Sequence, residues 1–206
     1  MSLALLRRRF SWPSEKPDVP PDGHGWFGRE HIEVLGRFLS PETQLVVELG
    51  SWLGKSTRWM LDNAPRATVV AVDTWLGSAE HLDPRRAAAT DSIRRLPTLY
   101  ETFLVNCWGY RERLIPVRTT TLCGLQLVSS MGLEPDLIYI DADHLYLAVK
   151  ADLEASHTLF PNARLVGDDY AWPDVNRALR EFGEAHGLRI ETNARAWWVE
   201  RSPEPA

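Results

Sequence analysis

The chain has 206 residues, a size that suits one domain with a substantial core. A net charge of −5 argues against a protein that binds nucleic-acid phosphates, and no apolar stretch approaches the ~20 residues that span a bilayer. The basic N-terminus lacks the order of a secretory signal, and two cysteines without a CxxC pair favour reduced thiols. We therefore expect a cytoplasmic protein with no membrane or nucleic-acid partner.

The first 40 residues differ in pattern from the rest of the chain. Residues 11–25 are rich in proline and glycine, which predicts an extended arm or lid without regular structure. Helical spacing of apolar residues predicts a helix over 28–39, which stops before Pro41. We expect residues 1–40 to form an N-terminal arm and helix, and residues 41–206 to form the main domain.

From residue 45 onward, candidate strands and helices alternate. The strands are expected at 45–49, 68–72, 114–118, 137–140, 164–166, 188–191 and 196–200. The helices between them are expected at 55–63, 98–110, 122–131, 145–157 and 173–186. This alternation favours a doubly wound α/β fold with a parallel sheet. Only residues 192–195 separate the last two strands, so these form an antiparallel hairpin. The long insertion at 76–97 is typical of a functional lid.

The turn after the first strand contains Gly50 and Gly54. Glycines permit a sharp turn from strand to helix and a close approach of ligand to backbone. Ser56 or Thr57 can bond near the start of the next helix. A turn of this kind also occurs in many α/β proteins for structural reasons alone, so by itself it does not identify a ligand.

Asp73 ends the second strand, where an acid binds the ribose diol in nucleoside-binding folds. The dinucleotide motif GxGxxG is missing, because Trp52 stands where its middle glycine is required. A phosphate loop with its lysine is missing too. A nucleoside without phosphates therefore fits better, and S-adenosylmethionine is the obvious one.

Acidic residues follow two further strands, as Asp141 and Asp143 before His144, and as Asp168 with Asp169. The carboxyl ends of parallel strands meet at one edge of the sheet, so these carboxylates are expected together. Such a cluster calls for shared protons or a cation, and hard divalent ions prefer oxygen ligands. Plainer roles stay open: Asp143 as a helix cap, His144 as a helix-start residue without chemistry, and the acid pair as loop residues.

The segments 46–57, 73–78, 136–152 and 167–170 together resemble class I S-adenosylmethionine-dependent methyltransferases, over roughly residues 45–200. Within that class they look like metal-dependent O-methyltransferases of the catechol type and natural-product tailoring enzymes that act on sugars. The resemblance implies a Rossmann-like, seven-stranded, mostly parallel sheet with a C-terminal antiparallel hairpin, and a methyltransferase domain at 41–206. By this resemblance the cofactor would be bound by Glu48, Gly50, Ser51, Gly54, Ser56, Asp73, Thr74, Thr120, Thr121 and Asp141.

Within this set, the resemblance assigns the methionine part of the cofactor to Glu48 and Gly50, and the ribose to Asp73. It assigns the adenine edge to Thr120 or Thr121. The acids Asp141, Asp168 and Asp169 match the positions at which metal-dependent relatives bind Mg²⁺ or a similar divalent cation.

A histidine three residues after the first metal-binding acid is the general base of sugar-modifying relatives, so His144 and Asp141 are the expected catalytic residues. The predicted protein is thus a Mg²⁺-assisted O-methyltransferase for a phenolic, sugar or other natural-product hydroxyl. Two alternatives stay open: a hydroxylase or methoxylation-type tailoring enzyme of the same fold, and a non-catalytic S-adenosylmethionine-binding module. A small-molecule substrate is expected, and a homodimer is left open.

Other aromatic and histidine side chains have two interpretations each. His81, in the insertion, is either a substrate contact and second base or a surface residue. Tyr146, Tyr170 and Trp172 are expected either to wall the pocket or to pack in the core.

Overall fold

The computed structural model describes residues 3–78, 81, 83 and 92–200, and a single sheet runs through its centre. The strands are β1 (Leu45–Leu49), β2 (Thr68–Asp73), β3 (Leu114–Arg118), β4 (Leu137–Ile140), β5 (Arg164–Gly167), β6 (Arg189–Asn193) and β7 (Ala196–Glu200). Their order in the sheet is β3-β2-β1-β4-β5-β7-β6. The first five are parallel, and β7 lies antiparallel to both β5 and β6. The predicted fold class is confirmed.

Helices cover both faces of the sheet. The α-helices whose two ends both fall within the described residues are α1 (Leu3–Arg9), α2 (Arg29–Phe38), α3 (Lys55–Asn63), α4 (Leu99–Cys107), α5 (Thr121–Ser130), α6 (Tyr146–Leu159) and α7 (Pro173–His186). Helices α2, α3 and α4 pack on one face, and α1, α5, α6 and α7 pack on the other. Because both faces are covered, all five residues of β1 are buried, as is usual for a central parallel strand.

The predicted elements from residue 28 onward are present, and most of their ends shift by at most two residues. The helix predicted over 98–110 is α-helical only to Cys107 and is followed by a 3-10 turn at Trp108–Tyr110. Helix α1 was not predicted. It is too short to show a periodic pattern, and its stability comes from packing, since Leu6 is completely buried. The hairpin loop was also predicted too long. Strand β6 continues to Asn193, so only Ala194 and Arg195 form the turn, with Ala194 in the left-handed region (φ 54°) that tight hairpins favour.

The proline-rich arm contains neither helix nor strand over residues 11–25, and it is attached to the domain at several points. Trp12 Nε1 donates to the Leu114 carbonyl at 2.9 Å. Asp22 pairs with Arg95 at 2.6 Å, and its carbonyl accepts from Asn106 Nδ2 at 2.7 Å. These contacts lead the chain to the carboxyl edge of the sheet, where the arm joins α2.

Part of the predicted insertion at 76–97 lies outside the described residues, namely 79–80, 82 and 84–91. The lid role of that insertion stays a prediction, as does the division of the chain at residue 40. In the described ranges, no helix has both the length and the apolar character needed to cross a membrane.

Candidate active site

A cleft of about 770 Å³ opens at the carboxyl ends of β1, β2, β4 and β5. This edge is where open α/β sheets bind ligands. The arm closes one side of it through residues 25–27, and the β6–β7 turn closes another through Arg195. Of the predicted site residues, those that line the cleft are Gly50, Ser51, Ser56, Asp73, Thr74, Thr120, Thr121, Asp141, His144, Asp168 and Asp169.

Gly50 and Asp73 hold the turn after β1 in place. Gly50 has a φ of +83°, and a Cβ there would lie 1.9 Å from the backbone carbonyl oxygen of Asp141, so only glycine fits. The Oδ2 of Asp73 accepts the backbone N–H groups of Ser51 (2.9 Å) and Trp52 (3.0 Å), while Oδ1 accepts that of Trp75 (2.7 Å). Burial raises the pKa of Asp73 despite these bonds. Its remaining lone pairs are the acceptors available to a diol.

Glu48 lies beneath this turn and is not among the described residues that line the cleft. Its carboxylate accepts hydroxyl bonds from Ser51 at 2.7 Å, from Ser56 at 2.5 Å, and from Thr57. Burial raises the pKa of Glu48 to about 7, although the three hydroxyls oppose that change. The structure therefore ties Glu48 to the turn and to the start of α3, and direct contact with a cofactor stays a prediction.

Gly54 is also absent from the described lining of the cleft. It precedes α3 in the left-handed region (φ +77°), and a Cβ there would lie 2.5 Å from Cys107 Sγ. The two glycines of the motif thus serve different needs. Gly50 brings the β1 turn against β4, whereas Gly54 lets α3 pack against α4.

The threonines predicted for the site lie at the cleft side of β2 and β3. Thr74 Oγ1 accepts from the Leu76 N–H at 3.2 Å. Thr120 is the N-cap of α5 and accepts from the Cys123 N–H at 3.4 Å. Both threonines are therefore already engaged with the backbone. Their contact with an adenine stays a prediction.

Asp141, His144 and Asp169 form a compact group in the loops after β4 and β5, with one ligand atom from each lying within 4.8 Å of the others. His144 Nε2 lies 2.7 Å from Asp169 Oδ2, and the imidazole stacks on Trp172 with ring centroids 4.6 Å apart. Asp143 lies outside this group. Its Oδ1 accepts from the Leu145 N–H at 2.8 Å and closes the turn in front of α6, close to the expected capping role.

The two carboxylates of this group have opposite electrostatic environments. Burial, followed by repulsion from Asp168 and Asp169, raises the pKa of Asp141 well above its usual range. Burial also acts on Asp169, but His144 and Arg195 outweigh it and leave the pKa of Asp169 below its usual value. Asp141 is thus the acid that tends to hold a proton, and a divalent cation among these ligands would favour its charged form. The donor set fits such an ion.

Asp168 lines the cleft beside this group, and its role as a metal ligand stays a prediction. His31 Nε2, on α2, lies 2.8 Å from its Oδ2, and Arg195 Nη2 lies 3.1 Å from the same oxygen. Its Oδ1 accepts from the Asp169 N–H at 2.6 Å. The described group of candidate metal ligands accordingly contains His144 and not Asp168. Sequence reasoning missed His31 and Arg195, because no local pattern marks a residue from a distant element.

Aromatic side chains line the mouth of the cleft. Trp52 stacks on His81 with ring centroids 4.6 Å apart, and Trp26 of the arm lies 5.7 Å from both rings. Trp172 lies on the opposite side, against His144. His81 and Trp172 both line the cleft, which agrees with the pocket-wall interpretation of Trp172, and contact of His81 with a substrate stays a prediction. Tyr146 and Tyr170 are not among the described lining residues.

A sheet of this order, with a glycine turn after β1 and an acid at the end of β2, defines the class I S-adenosylmethionine-dependent methyltransferases. The family model described as "Methyltransferase domain" matches residues 47–170, and the chain belongs to this family. A comparison of the sequence with curated proteins finds no match.

Solved structures share the fold at low sequence identity. A Staphylococcus aureus protein with a provisional assignment as a caffeoyl-CoA O-methyltransferase is 13% identical, covers 98% of this chain and 93% of its own, and has a TM-score of 0.57. The calicheamicin methyltransferase CalS11 is 16% identical, with 84% and 77% covered and a TM-score of 0.55. The mycinamycin-pathway methyltransferase MycE is 13% identical, with 97% and 54% covered and a TM-score of 0.57. This chain thus spans about half the length of MycE.

Proposed function

We propose that this methyltransferase transfers the methyl group of S-adenosylmethionine to a hydroxyl oxygen of a small molecule, with the help of a divalent cation such as Mg²⁺. The observation that carries the proposal is the group of Asp141, His144 and Asp169, which shares one cleft with the Gly50 turn and Asp73. A methyl donor bound at that turn would thus lie beside groups able to bind and deprotonate an oxygen.

The cofactor half of the cleft is the end that contains Gly50, Ser51 and Asp73. Close approach to the backbone at Gly50 suits the methionine part, and the spare lone pairs of Asp73 suit the ribose hydroxyls. We assign the adenine to Thr120 and Thr121, which line the same cleft after β3. Glu48 contributes by holding the turn through its three hydroxyl partners.

The other half of the cleft, called here the chemical half, is formed by Asp141, His144 and Asp169, and it contains the general base. The Asp169 carboxylate orients the His144 imidazole and stabilises its protonated form, and the Trp172 ring limits its rotation. His144 takes the hydroxyl proton, the oxygen forms its bond to the methyl carbon, and the bond from that carbon to sulfur breaks, leaving S-adenosylhomocysteine. A divalent ion held by Asp141 and Asp169 would lower the pKa of the acceptor hydroxyl and align its oxygen.

The aromatic mouth of the cleft supports a small organic acceptor, because Trp26, Trp52 and Trp172 offer flat apolar walls. Proteins of similar fold also carry names of this kind. CalS11 is described as a TDP-rhamnose 3'-O-methyltransferase, and MycE was solved in complex with Mg and SAH. We extend O-methylation and the metal to this chain on the strength of its own cleft.

The direct test is incubation with S-adenosylmethionine and a panel of phenolic and sugar acceptors, with Mg²⁺ or with EDTA, followed by mass spectrometry. A product that gains one methyl group on oxygen supports the proposal. A product that gains an oxygen atom instead would indicate the hydroxylase alternative. Cofactor binding without turnover of any acceptor would favour a non-catalytic binding module.

Three variants separate the roles within the chemical half. Asp141→Asn should abolish both Mn²⁺ binding and turnover, whereas His144→Gln should abolish turnover and weaken Mn²⁺ binding less than Asp141→Asn does, because both carboxylates of the group remain. Asp143→Asn is the matched control, since it removes an equal charge from the same segment outside the group. If Asp141→Asn retains full activity and full Mn²⁺ affinity, the metal assignment is wrong.

A further inference from the structure

Arg195 brings a positive charge into the acidic end of the cleft from the far edge of the sheet. It stands in the two-residue turn between β6 and β7, and its carbonyl accepts from the Tyr170 N–H at 2.9 Å, which joins the turn to the loop after β5. Its Nη2 lies 2.6 Å from Asp169 Oδ1 and 3.1 Å from Asp168 Oδ2. The side chain is 38% exposed, so the guanidinium borders the cleft while it bridges the two acids.

Asp168 contacts Arg195, and both of its carboxylate oxygens already have partners. The Gly28 N–H donates to His31 Nδ1 at 2.8 Å, so Nε2 carries the imidazole proton, and Nε2 lies 2.8 Å from Asp168 Oδ2. The Asp169 N–H occupies Oδ1. Both side chains of the His31–Asp168 pair are almost completely buried. The bridge to Arg195 is therefore anchored to α2, more than 100 residues away along the chain.

We infer that Arg195 is a competing countercharge at the acidic group: it neutralises part of the charge of Asp169 and so competes with a divalent ion for that carboxylate. This inference rests on the proposed metal site. Asp169 offers one oxygen to Arg195 and the other to His144, so an ion bound there would share a carboxylate already partly neutralised. Loss of the guanidinium should therefore strengthen metal binding, the opposite of what loss of a ligand does.

The test measures Mn²⁺ and Mg²⁺ affinity by calorimetry, with Mn²⁺ binding also followed by electron paramagnetic resonance. Arg195→Met keeps the length and apolar stem of the side chain and leaves the backbone bond to Tyr170 in place. We expect it to bind Mn²⁺ about tenfold or more tightly than the wild-type protein, a modest figure that allows for solvent screening at the cleft. Arg195→Lys keeps the charge and should stay near the wild-type affinity.

Arg189→Met is the matched control. It removes an equal charge from the other end of the same hairpin, where Arg189 is 73% exposed, and should leave the affinity unchanged. A second readout is thermal stability, because the gain in melting temperature on adding Mn²⁺ should be larger in Arg195→Met than in the wild type. This readout also reports whether the variant folds.

Two outcomes would overturn the inference, and they differ in what else they reject. Equal or weaker Mn²⁺ binding by a folded Arg195→Met variant, beside clear binding by the wild type, rejects the role of Arg195 and leaves the proposed metal site intact. Absence of Mn²⁺ binding by both proteins rejects the metal site itself, and the inference with it.

Discussion

The buried carboxyl of Glu48 predicts an unusual dependence of stability on pH. Its pKa is raised to about 7 in the folded protein, mainly by burial, whereas an unfolded glutamate titrates near 4.3. The folded protein binds the Glu48 proton more tightly than the unfolded chain does. The resulting gain in unfolding free energy is therefore fully present at a pH below the pKa of the unfolded chain. It is lost as the pH rises through about 7. Glu48→Gln removes this titration and keeps a group that can bond to Ser51, Ser56 and Thr57.

The magnitude follows from the two pKa values. At roughly 1.4 kcal/mol per pH unit, ionisation of Glu48 should cost the wild-type protein roughly 2.5 kcal/mol of unfolding free energy between about pH 5 and about pH 8. Urea denaturation at the two pH values measures this loss. In Glu48→Gln the loss should shrink by most of that amount. Glu42→Gln, at an exposed position just before β1, is the control and should behave as the wild type.

The same variant tests how Glu48 serves the cofactor. If it acts by holding the turn, Glu48→Gln should bind S-adenosylhomocysteine within about threefold of the wild-type affinity, since the hydroxyl partners remain. A tenfold loss would instead indicate direct contact with the methionine part. An unchanged pH dependence of unfolding in Glu48→Gln would refute the reasoning from burial altogether.

Three further predictions concern residues around the cleft. Gly50→Ala should lose more than about 3 kcal/mol of unfolding free energy, measured by urea denaturation, because its Cβ would clash with the Asp141 carbonyl. Gly187→Ala is the control and should lose about 1 kcal/mol, since Gly187 is also left-handed but has open space around it. Equal losses in the two variants would contradict the clash. Asp73→Asn should weaken S-adenosylhomocysteine binding about tenfold or more, as measured by calorimetry. The reason is that an amide nitrogen cannot accept the N–H bonds that hold the turn. An unchanged affinity would show that the turn does not depend on these bonds. Asp152 is buried in α6, and burial raises its pKa to about 7. Asp152→Asn should therefore also reduce the loss of unfolding free energy between about pH 5 and about pH 8. An unaltered pH dependence of unfolding would contradict a protonated Asp152.

The elements from β1 to β7 were predictable because their patterns are local. Strand β1 and helix α3 have the predicted ends, since a continuous apolar run and a helical spacing are properties of neighbouring residues. Helix α1 escaped prediction for the complementary reason. Its seven residues contain one completely buried side chain, Leu6, and the groove that receives Leu6 exists only in the folded domain.

Within the site, the sequence determined which strand ends carry Asp73, Asp141 and the pair Asp168–Asp169, and parallel topology then required them to share one edge. Only the tertiary structure decided what each carboxylate bonds to. Asp168 lies within ion-pair distance of His31 and Arg195, whereas burial and the neighbouring acids raise the pKa of Asp141 well above its usual range. Strand ends follow from patterns a few residues long. The partners of a buried charge come from α2 and the β6–β7 turn, which reach the acids only when the chain has packed.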